Sequence, residues 1–323
     1  MVRLRRTRTG EPGIRRVRSG RGFRYVDGEG NAVDDPQLRA RIEQLVIPPA
    51  WTDVWISTFP NGHIQAMGTD AAGRKQYLYH PTWREQRDRQ KFDRALALAE
   101  SLPAARRGVT IDLHRDGLPR ERVLATAFRM LDTGHLRVGS ERYALEHGSH
   151  GLSTLLGAHV TVEAKELVRL SFPGKSGQEW ESVVRDPDLA AVVALLKRRG
   201  PRARLLAWRD DAGAHALSAE DINDDIRRRT GGDFTAKDFR TLHGTAAAAV
   251  ALARTGPKVS NAAQDRAIAA AVRATSELLG NTMAVARGSY IDPRLLDLYR
   301  DGVTIDPERT GSVESELRAL LFE

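Results

Sequence analysis

The spacing of apolar residues changes near residue 90, and that change restricts the fold more than any total does. Upstream, short segments alternate apolar and polar positions: residues 23–26 run into Asp27-Gly28-Glu29-Gly30, and residues 51–59 face residues 63–67 across Pro60-Asn61-Gly62. Alternation bounded by turn residues predicts half-buried strands joined as hairpins. Downstream, apolar residues recur three and four apart, the spacing of helices that bury one face. A polar run from Trp83 to Gln90, carrying Arg84, Arg87 and Arg89 ahead of Lys91, separates the two regimes and reads as a linker or linker helix. With 323 residues there is enough chain for two cores. The expectation is an α+β protein in two domains. A small strand-rich N-terminal domain occupies 1–90, and a larger, mainly α-helical domain with a small antiparallel sheet occupies 91–323.

In the first region a short helix is expected over 35–44, ahead of Ile47-Pro48-Pro49. Residues 73–81 read as extended, with Gln76, Leu78 and His80 facing one way and Tyr77 and Tyr79 the other. Two tyrosines beside Arg74 and Lys75 suit a sugar–phosphate backbone or base edges; an edge strand with its tyrosines packed inward is the competing reading. In the second region a helix over 92–102 is expected to end at Pro103, and Pro119 and Gly134 bracket a helix with Val123, Ala127 and Leu131 on one face. Strand signals return at 152–156, 160–162, 167–172 and 179–184, with Pro173-Gly174-Lys175-Ser176-Gly177 turning the last hairpin. Helices are expected at 188–199, 219–229, 236–254, 259–279, 293–300 and 313–322.

Charge is concentrated at one end. Residues 1–24 hold nine arginines against Glu11, which leaves 41 basic and 41 acidic residues beyond them, so the formal net charge of +8 belongs to an N-terminal arm. Arginine pairs with phosphate through two parallel donors, and a cationic arm gains affinity for a polyanion by releasing counterions. The glycines and Pro12 argue against the amphipathic helix of a transit peptide, so nucleic acid is the favoured partner. The longest apolar run, 246–253, is far shorter than the roughly 20 residues of a membrane span, and the N-terminus shows no signal-peptide pattern. Zero cysteines remove disulfides and thiolate-bound metals from consideration. The inventory fits a cytoplasmic, nucleoid-associated protein of bacterial type with no membrane partner.

Two apparent motifs fail on spacing. Gly174-Lys175-Ser176 resembles the end of a phosphate-binding P-loop, but that motif needs a glycine at 169, where Arg169 stands, and a following helix. His147, His150 and His159 lack the helical spacing of a zinc protease, and no metal is expected there. The tyrosine at 290 is more informative. Leu278-Leu279-Gly280-Asn281-Thr282 reads as a helix end and a Gly-Asn turn, followed by a short, small-residue segment that presents Tyr290 just before Asp292-Pro293 opens another helix. Arg287 is a candidate for placing charge near the ring. Arg137 follows a helix stop directly. Lys237 and Arg240, at i and i+3, share a helix face, with Thr235 and Asp238 as the capping box. Each cation alone is more often a surface ion pair; the ordered set Arg–Lys–Arg–Asn–Tyr is not.

From about Phe23 to Tyr299 the sequence resembles the compact type IB DNA topoisomerases of bacteria and poxviruses, most closely the bacterial, Deinococcus-type members. The resemblance rests on Ile47-Pro48-Pro49-Ala50-Trp51, residues 73–79, Lys91-Phe92-Asp93-Arg94, Leu136-Arg137-Val138-Gly139, Pro173-Gly174-Lys175, residues 237–241, and Leu279-Gly280-Asn281 with Tyr290. It implies the catalytic fold shared by tyrosine recombinases and type IB topoisomerases over 91–323, and a DNA-clamp domain with an Arg-rich arm over 1–90. It implies Tyr290 as nucleophile, Arg137 and Arg240 as catalytic arginines, and Lys175 on the hairpin as general acid, with Arg137 able to assist. Gln76, Tyr77, Tyr79 and Tyr143 would touch double-stranded DNA, with Arg74, Lys75 and Lys237 adding contacts. The implied enzyme is a monomer that relaxes supercoils of either sign through a 3′-phosphotyrosyl link, with no cofactor, neither ATP nor metal.

Two rivals remain open at this stage. A tyrosine recombinase shares the arginines, lysine and tyrosine, but usually has a histidine three residues before the second arginine, where Lys237 stands, and a helical front domain. A non-catalytic DNA-binding protein would not need the full set. Most relatives carry histidine where this chain has Asn281. An amide can donate a hydrogen bond to a non-bridging phosphate oxygen but cannot titrate. If hydrogen bonding is all this position supplies, Asn281→His retains a DNA cleavage rate within about tenfold of the parent, measured in single turnover; a larger loss shows that the amide geometry itself is required.

Overall fold

In the first part of the chain, backbone hydrogen bonds connect five strands: β1 (Ile14–Ser19), β2 (Gly22–Val26), β3 (Thr52–Ile56), β4 (Ile64–Thr69) and β5 (Lys75–Tyr79). They lie in the order β2-β1-β3-β4-β5, every neighbouring pair antiparallel. This computed structural model describes residues 3–322, which fall into two compact units divided between Gln90 and Lys91. Helix α1 (Pro36–Gln44) starts where Asp35 accepts hydrogen bonds from the amides of Gln37 and Leu38, with Pro36 at the first position. Its Ile42 joins Ile14, Val54, Ile56 and Ala66 in the core of this unit.

The arginine arm differs from its expectation. Residues 14–19 are a strand, and the segment before them is tied to the sheet: the Arg5 amide donates to Asn61 O (2.9 Å), and Trp55 Nε1 donates to Glu11 O (3.0 Å). Arg16 donates to the carbonyls of Ile47, Pro48 and Trp51 at 3.1, 2.9 and 2.8 Å, with its guanidinium 4.1 Å from the Phe23 ring centre. Those carbonyls lie in a proline-interrupted loop with no ladder partner, so the arginine fork satisfies them. Part of the basic run is therefore structural.

The second unit contains α3 (Arg120–Gly134), α4 (Glu141–His147), a three-stranded antiparallel sheet of β6 (Val160–Glu163), β7 (Leu167–Pro173) and β8 (Glu179–Arg185), α5 (Pro187–Lys197), a hairpin of β9 (Ala207–Asp210) and β10 (Gly213–Ala216), α6 (Ala219–Thr230), α7 (Ala236–Thr255), α8 (Asn261–Leu279), α9 (Met283–Ser289), α10 (Pro293–Arg300) and α11 (Val313–Phe322). Helix α2 (Pro81–Leu113) crosses the division between units. The expected linker is thus helical, and the helix continues past Pro103. An internal proline costs about 3 kcal/mol. Ala99, Leu102, Ala105 and Val109 are all buried around it, and burial of that stripe is worth more.

Three further expectations are corrected. Residues 152–154 form a 3₁₀ turn and no strand, because the amides of Leu152 and Ser153 donate to Arg137 O (2.9 Å) and Val138 O (2.8 Å) instead of entering the sheet. The segment before Tyr290 is helix α9, capped by Thr282, whose hydroxyl accepts from the Val285 amide. Gly134 is the last helical residue of α3, and the left-handed position after it is His135 (φ 54°, ψ 28°). One core surrounds α3 and the sheet, including Phe128 edge-on to Phe239 at 5.3 Å; a second joins α7, α8, α10 and α11 around Tyr299, whose hydroxyl donates to Gly256 O at 2.8 Å. Phe128→Ala is expected to destabilise this unit by about 3–5 kcal/mol, read from the denaturant midpoint.

Candidate functional site

Helix α7 does most of the positioning. Thr235 and Asp238 form its capping box, and Arg94 pairs with Asp238 at 3.1 Å, so the first turn is fixed from outside as well. Lys237 is exposed on that turn, while Arg240, one turn further on, is 3% exposed. A buried guanidinium must find acceptors for its donors. Arg240 Nη1 donates to His135 O at 2.5 Å and Nη2 to Leu279 O at 2.8 Å, so the arginine spans the ends of α3 and α8. Its Nε is buried without a partner among the described residues, and its Cζ stands 5.1 Å from the centre of the Tyr290 ring.

The same helix holds the tyrosine by its backbone. Thr245 Oγ1 donates to Tyr290 O at 3.1 Å and accepts from the Asp292 amide at 3.1 Å. Gly244 explains the close approach: a Cβ there would lie 2.6 Å from Tyr290 O and 2.7 Å from Tyr290 Cβ. Sequence reading overlooked both residues. A glycine in the middle of an otherwise good helix costs about 1 kcal/mol, and that was the available signal for a neighbouring chain.

Arg137 reaches the same turn from the other side. Its Nη2 donates to Gly280 O at 3.2 Å and to Asn281 Oδ1. Because arginine only donates, the Asn281 oxygen must face it, and the Asn281 Nδ2 is left buried with no partner among the described residues. Gly280 has φ +56°, and a Cβ on it would meet the Trp180 ring at 2.6 Å. The glycine thus serves the αL helix end and lets β8 pack against the turn. Lys175 sits at the tip of the β7–β8 hairpin, exposed and without a hydrogen bond or ion pair among the described residues.

Electrostatics follow from this crowding. Burial alone would raise the Tyr290 phenol, but the charge and hydrogen bonding of Arg240, with the charges of Arg137 and Lys237, overcome it, and the phenol sits below its ordinary value of 10. Arg287, expected beside the ring, is exposed and does not figure among those charges. Burial, with Arg240 beside it, lowers Arg137 to about 10, so the guanidinium stays charged at neutral pH. The arrangement therefore offers a phenol shifted toward easier ionisation, two fixed cations, and two N–H donors without partners among the described residues, suited to an oxyanion.

The other expected contacts fall within their own units. Tyr77 and Tyr79 are both exposed and stack at 6.0 Å, and Gln76 and Arg74 both bond Asp70, at 2.8 and 2.9 Å. Lys75 is exposed on the same strand, and Tyr143 is exposed on α4 with His147 5.6 Å away. His150 and His159 pack ring to ring at 4.4 Å. The ligand atoms of Asp132, His243 and Glu314 lie within 4.8 Å of one another, but the Arg106 guanidinium already binds both carboxylates, so a cation is in place there. Among the described residues no helix is long and apolar enough to cross a membrane.

Residues 80–297 match the family described as eukaryotic DNA topoisomerase I, catalytic core, and residues 22–70 match the bacterial DNA topoisomerase IB N-terminal domain. The chain is 33% identical over 297 residues to the DNA topoisomerase 1B of Acanthamoeba polyphaga mimivirus, covering 90% of this chain and 88% of the viral protein. It is 29% identical over 116 residues to the DNA topoisomerase 1 of Mycosarcoma maydis, covering 35% of this chain and 11% of the fungal one. In a spectrophotometric titration, taken as the difference between the parent and Tyr290→Phe, the Tyr290 phenol should ionise below pH 10. Removing a nearby positive charge with Lys237→Met should move that midpoint to higher pH; an unmoved midpoint would show that the lysine charge does not reach the ring.

Proposed function

Since the chain belongs to the type IB DNA topoisomerases, isomerases whose substrate is DNA, we propose that it relaxes supercoils by cutting one strand of the duplex with Tyr290, letting that strand turn, and rejoining it. The Tyr290 oxygen attacks a backbone phosphorus, and the bond from phosphorus to the 5′-oxygen breaks. The products are a 3′-phosphotyrosyl link and a free 5′-hydroxyl. One phosphodiester replaces another, so the bond energy is kept for the reverse step, and the chemistry requires neither ATP nor metal. Relaxation of either sign follows, because rotation about the intact strand is driven only by the torque already in the DNA.

Each residue answers a specific demand of that reaction. A phenol with a pKa near 10 is a weak nucleophile at neutral pH, and Arg240, Arg137 and Lys237 favour its ionised form. As phosphorus becomes five-coordinate, charge builds on its non-bridging oxygens. The guanidinium forks of Arg137 and Arg240 and the Asn281 Nδ2 are donors of the right kind to hold it, and losing one such donor typically costs about 10²–10³ in rate. The departing 5′-oxygen needs a proton. Lys175, at the tip of a hairpin and without an ion pair among the described residues, is assigned that donation. The observation that carries this reading is the buried Arg240 beside the Tyr290 ring, with Arg137 and Asn281 bound to the same turn.

DNA contacts follow the usual division between phosphate positioning and base reading. The exposed Tyr77–Tyr79 stack with Lys75 is assigned to DNA in the first unit, together with Gln76 and Arg74. Tyr143 and Lys237 are assigned to it in the second, and the working form is a monomer. The test is negatively supercoiled plasmid with the protein in EDTA and no ATP, quenched with detergent. Relaxation and a protein–DNA adduct joined at the 3′ side are expected from the parent, and neither from Tyr290→Phe. Undiminished relaxation by Tyr290→Phe would falsify the assignment of the nucleophile.

A further inference from the structure

Behind Arg240 a chain of polar groups, buried at His243 and Asp132 and reaching the surface at Arg106 and Glu314, runs away from the reaction site, and the proposed chemistry uses none of them. Arg240 rests on the carbonyl of His135, a non-glycine residue held in the left-handed region at φ 54°. Such a conformation is uncommon outside glycine and asparagine and persists only where the surroundings impose it. The ring of His135 meets His243, whose Nδ1 lies 3.0 Å from His135 Nδ1, so one of the two nitrogens carries the shared proton. His243 Nε2 stands 3.6 Å from Asp132 Oδ1. Asp132 accepts from Arg106 Nε and Nη2 at 2.7 and 2.8 Å, and Arg106 grips Glu314 of α11 with two further bonds of 2.7 Å.

The helices give this chain a direction. Arg240 and His243 are i and i+3 on α7, while Asp132 and His135 are the last turn and cap of α3. Helix α7 thus holds the end of α3 at two points: Arg240 takes the carbonyl of His135, and His243 takes its ring. With both its carbonyl and its ring engaged by α7, the residue on which the arginine sits is fixed at two atoms. At the far end Glu314 stands near the start of α11, 21% exposed, and the link between it and Asp132 is a single guanidinium.

We infer that His135, His243, Asp132, Arg106 and Glu314 form a positioning network for Arg240, linking the C-terminal helix α11 to the geometry of the phosphate site. The inference rests on the reaction proposed above, in which Arg240 neutralises a non-bridging oxygen. These residues touch no substrate. They act on rate by holding the guanidinium, and a misplacement of about 1 Å in such a group can cost about 10²-fold. Burial and the neighbouring His243 push His135 down to about 3, so its ring is neutral and acts here as a hydrogen-bonding strut.

The network separates from general structural support by what rescues it. Replacing the non-bridging oxygen of the scissile phosphate with methyl removes the charge that Arg240 meets, so a defect acting through Arg240 shrinks on that substrate. Single-turnover cleavage is measured on matched phosphate and methylphosphonate duplexes for the parent, Arg240→Ala, His243→Asn and Glu314→Gln, with noncovalent duplex affinity alongside. On phosphate, His243→Asn is expected to slow cleavage about 10–100-fold and Glu314→Gln about 3–10-fold, with affinity within about twofold. On methylphosphonate both deficits, like that of Arg240→Ala, should fall to within about threefold. Equal deficits on the two substrates, or phosphate rates matching the parent, overturn the inference and leave the proposed reaction standing. A parent that cleaves neither duplex overturns both. Should His243→Asn fail to fold, Glu314→Gln, on a partly exposed side chain, decides by the same criteria.

Discussion

A guanidinium buried to 3% exposure is the constraint around which the second unit is arranged. Arg240 cannot shed its charge and has no water to donate to, so the fold must supply acceptors wherever its donors point. It supplies two main-chain carbonyls from the ends of two different helices, His135 O from α3 and Leu279 O from α8. Helix C-termini carry spare carbonyls and the negative end of the helix dipole, so they suit this duty. The arginine therefore fixes where α3, α7 and α8 meet. Its Nε, without a partner among the described residues, and its face toward Tyr290 are left over by these bonds.

The Leu279–Asn281 turn collects the consequences. Three successive residues present Leu279 O to Arg240, Gly280 O to Arg137 and Asn281 Oδ1 to Arg137. Two like charges can then sit close together because each leans on dipoles of the same turn. The orientation forced on the Asn281 amide leaves its N–H donors facing away from Arg137. A neutral histidine at this position would also offer one acceptor and one donor, but from ring nitrogens in a different geometry.

Strain and burial at this site look costly unless something uses them. Gly244 weakens the middle of α7 so that Tyr290 can lie against it, and His135 occupies a backbone region that favours glycine. Asp132 is held well below the usual carboxylate range, because Arg106 and His243 more than offset its burial. Rigid placement of opposed charges is how a protein prepares for a transition state whose charge appears only briefly.

Local sequence determined much of this molecule. The alternating runs gave the strands on either side of Pro60-Asn61-Gly62, and the capping box of Thr235 and Asp238 gave the start of α7, because those signals depend on neighbours a few residues away. Other features were decided only in three dimensions. Pro103 lies inside a helix because the stripe around it is buried, residues 152–154 leave the strand state because Arg137 and Val138 offer their carbonyls, and Arg16 is a strut because three carbonyls of a proline-interrupted loop face its guanidinium. The link from Glu314 to Arg240 crosses four segments far apart in sequence, so no local pattern could have shown it. Sequence fixes what each short stretch can offer; which donor meets which acceptor depends on burial, and burial exists only once the whole chain has packed.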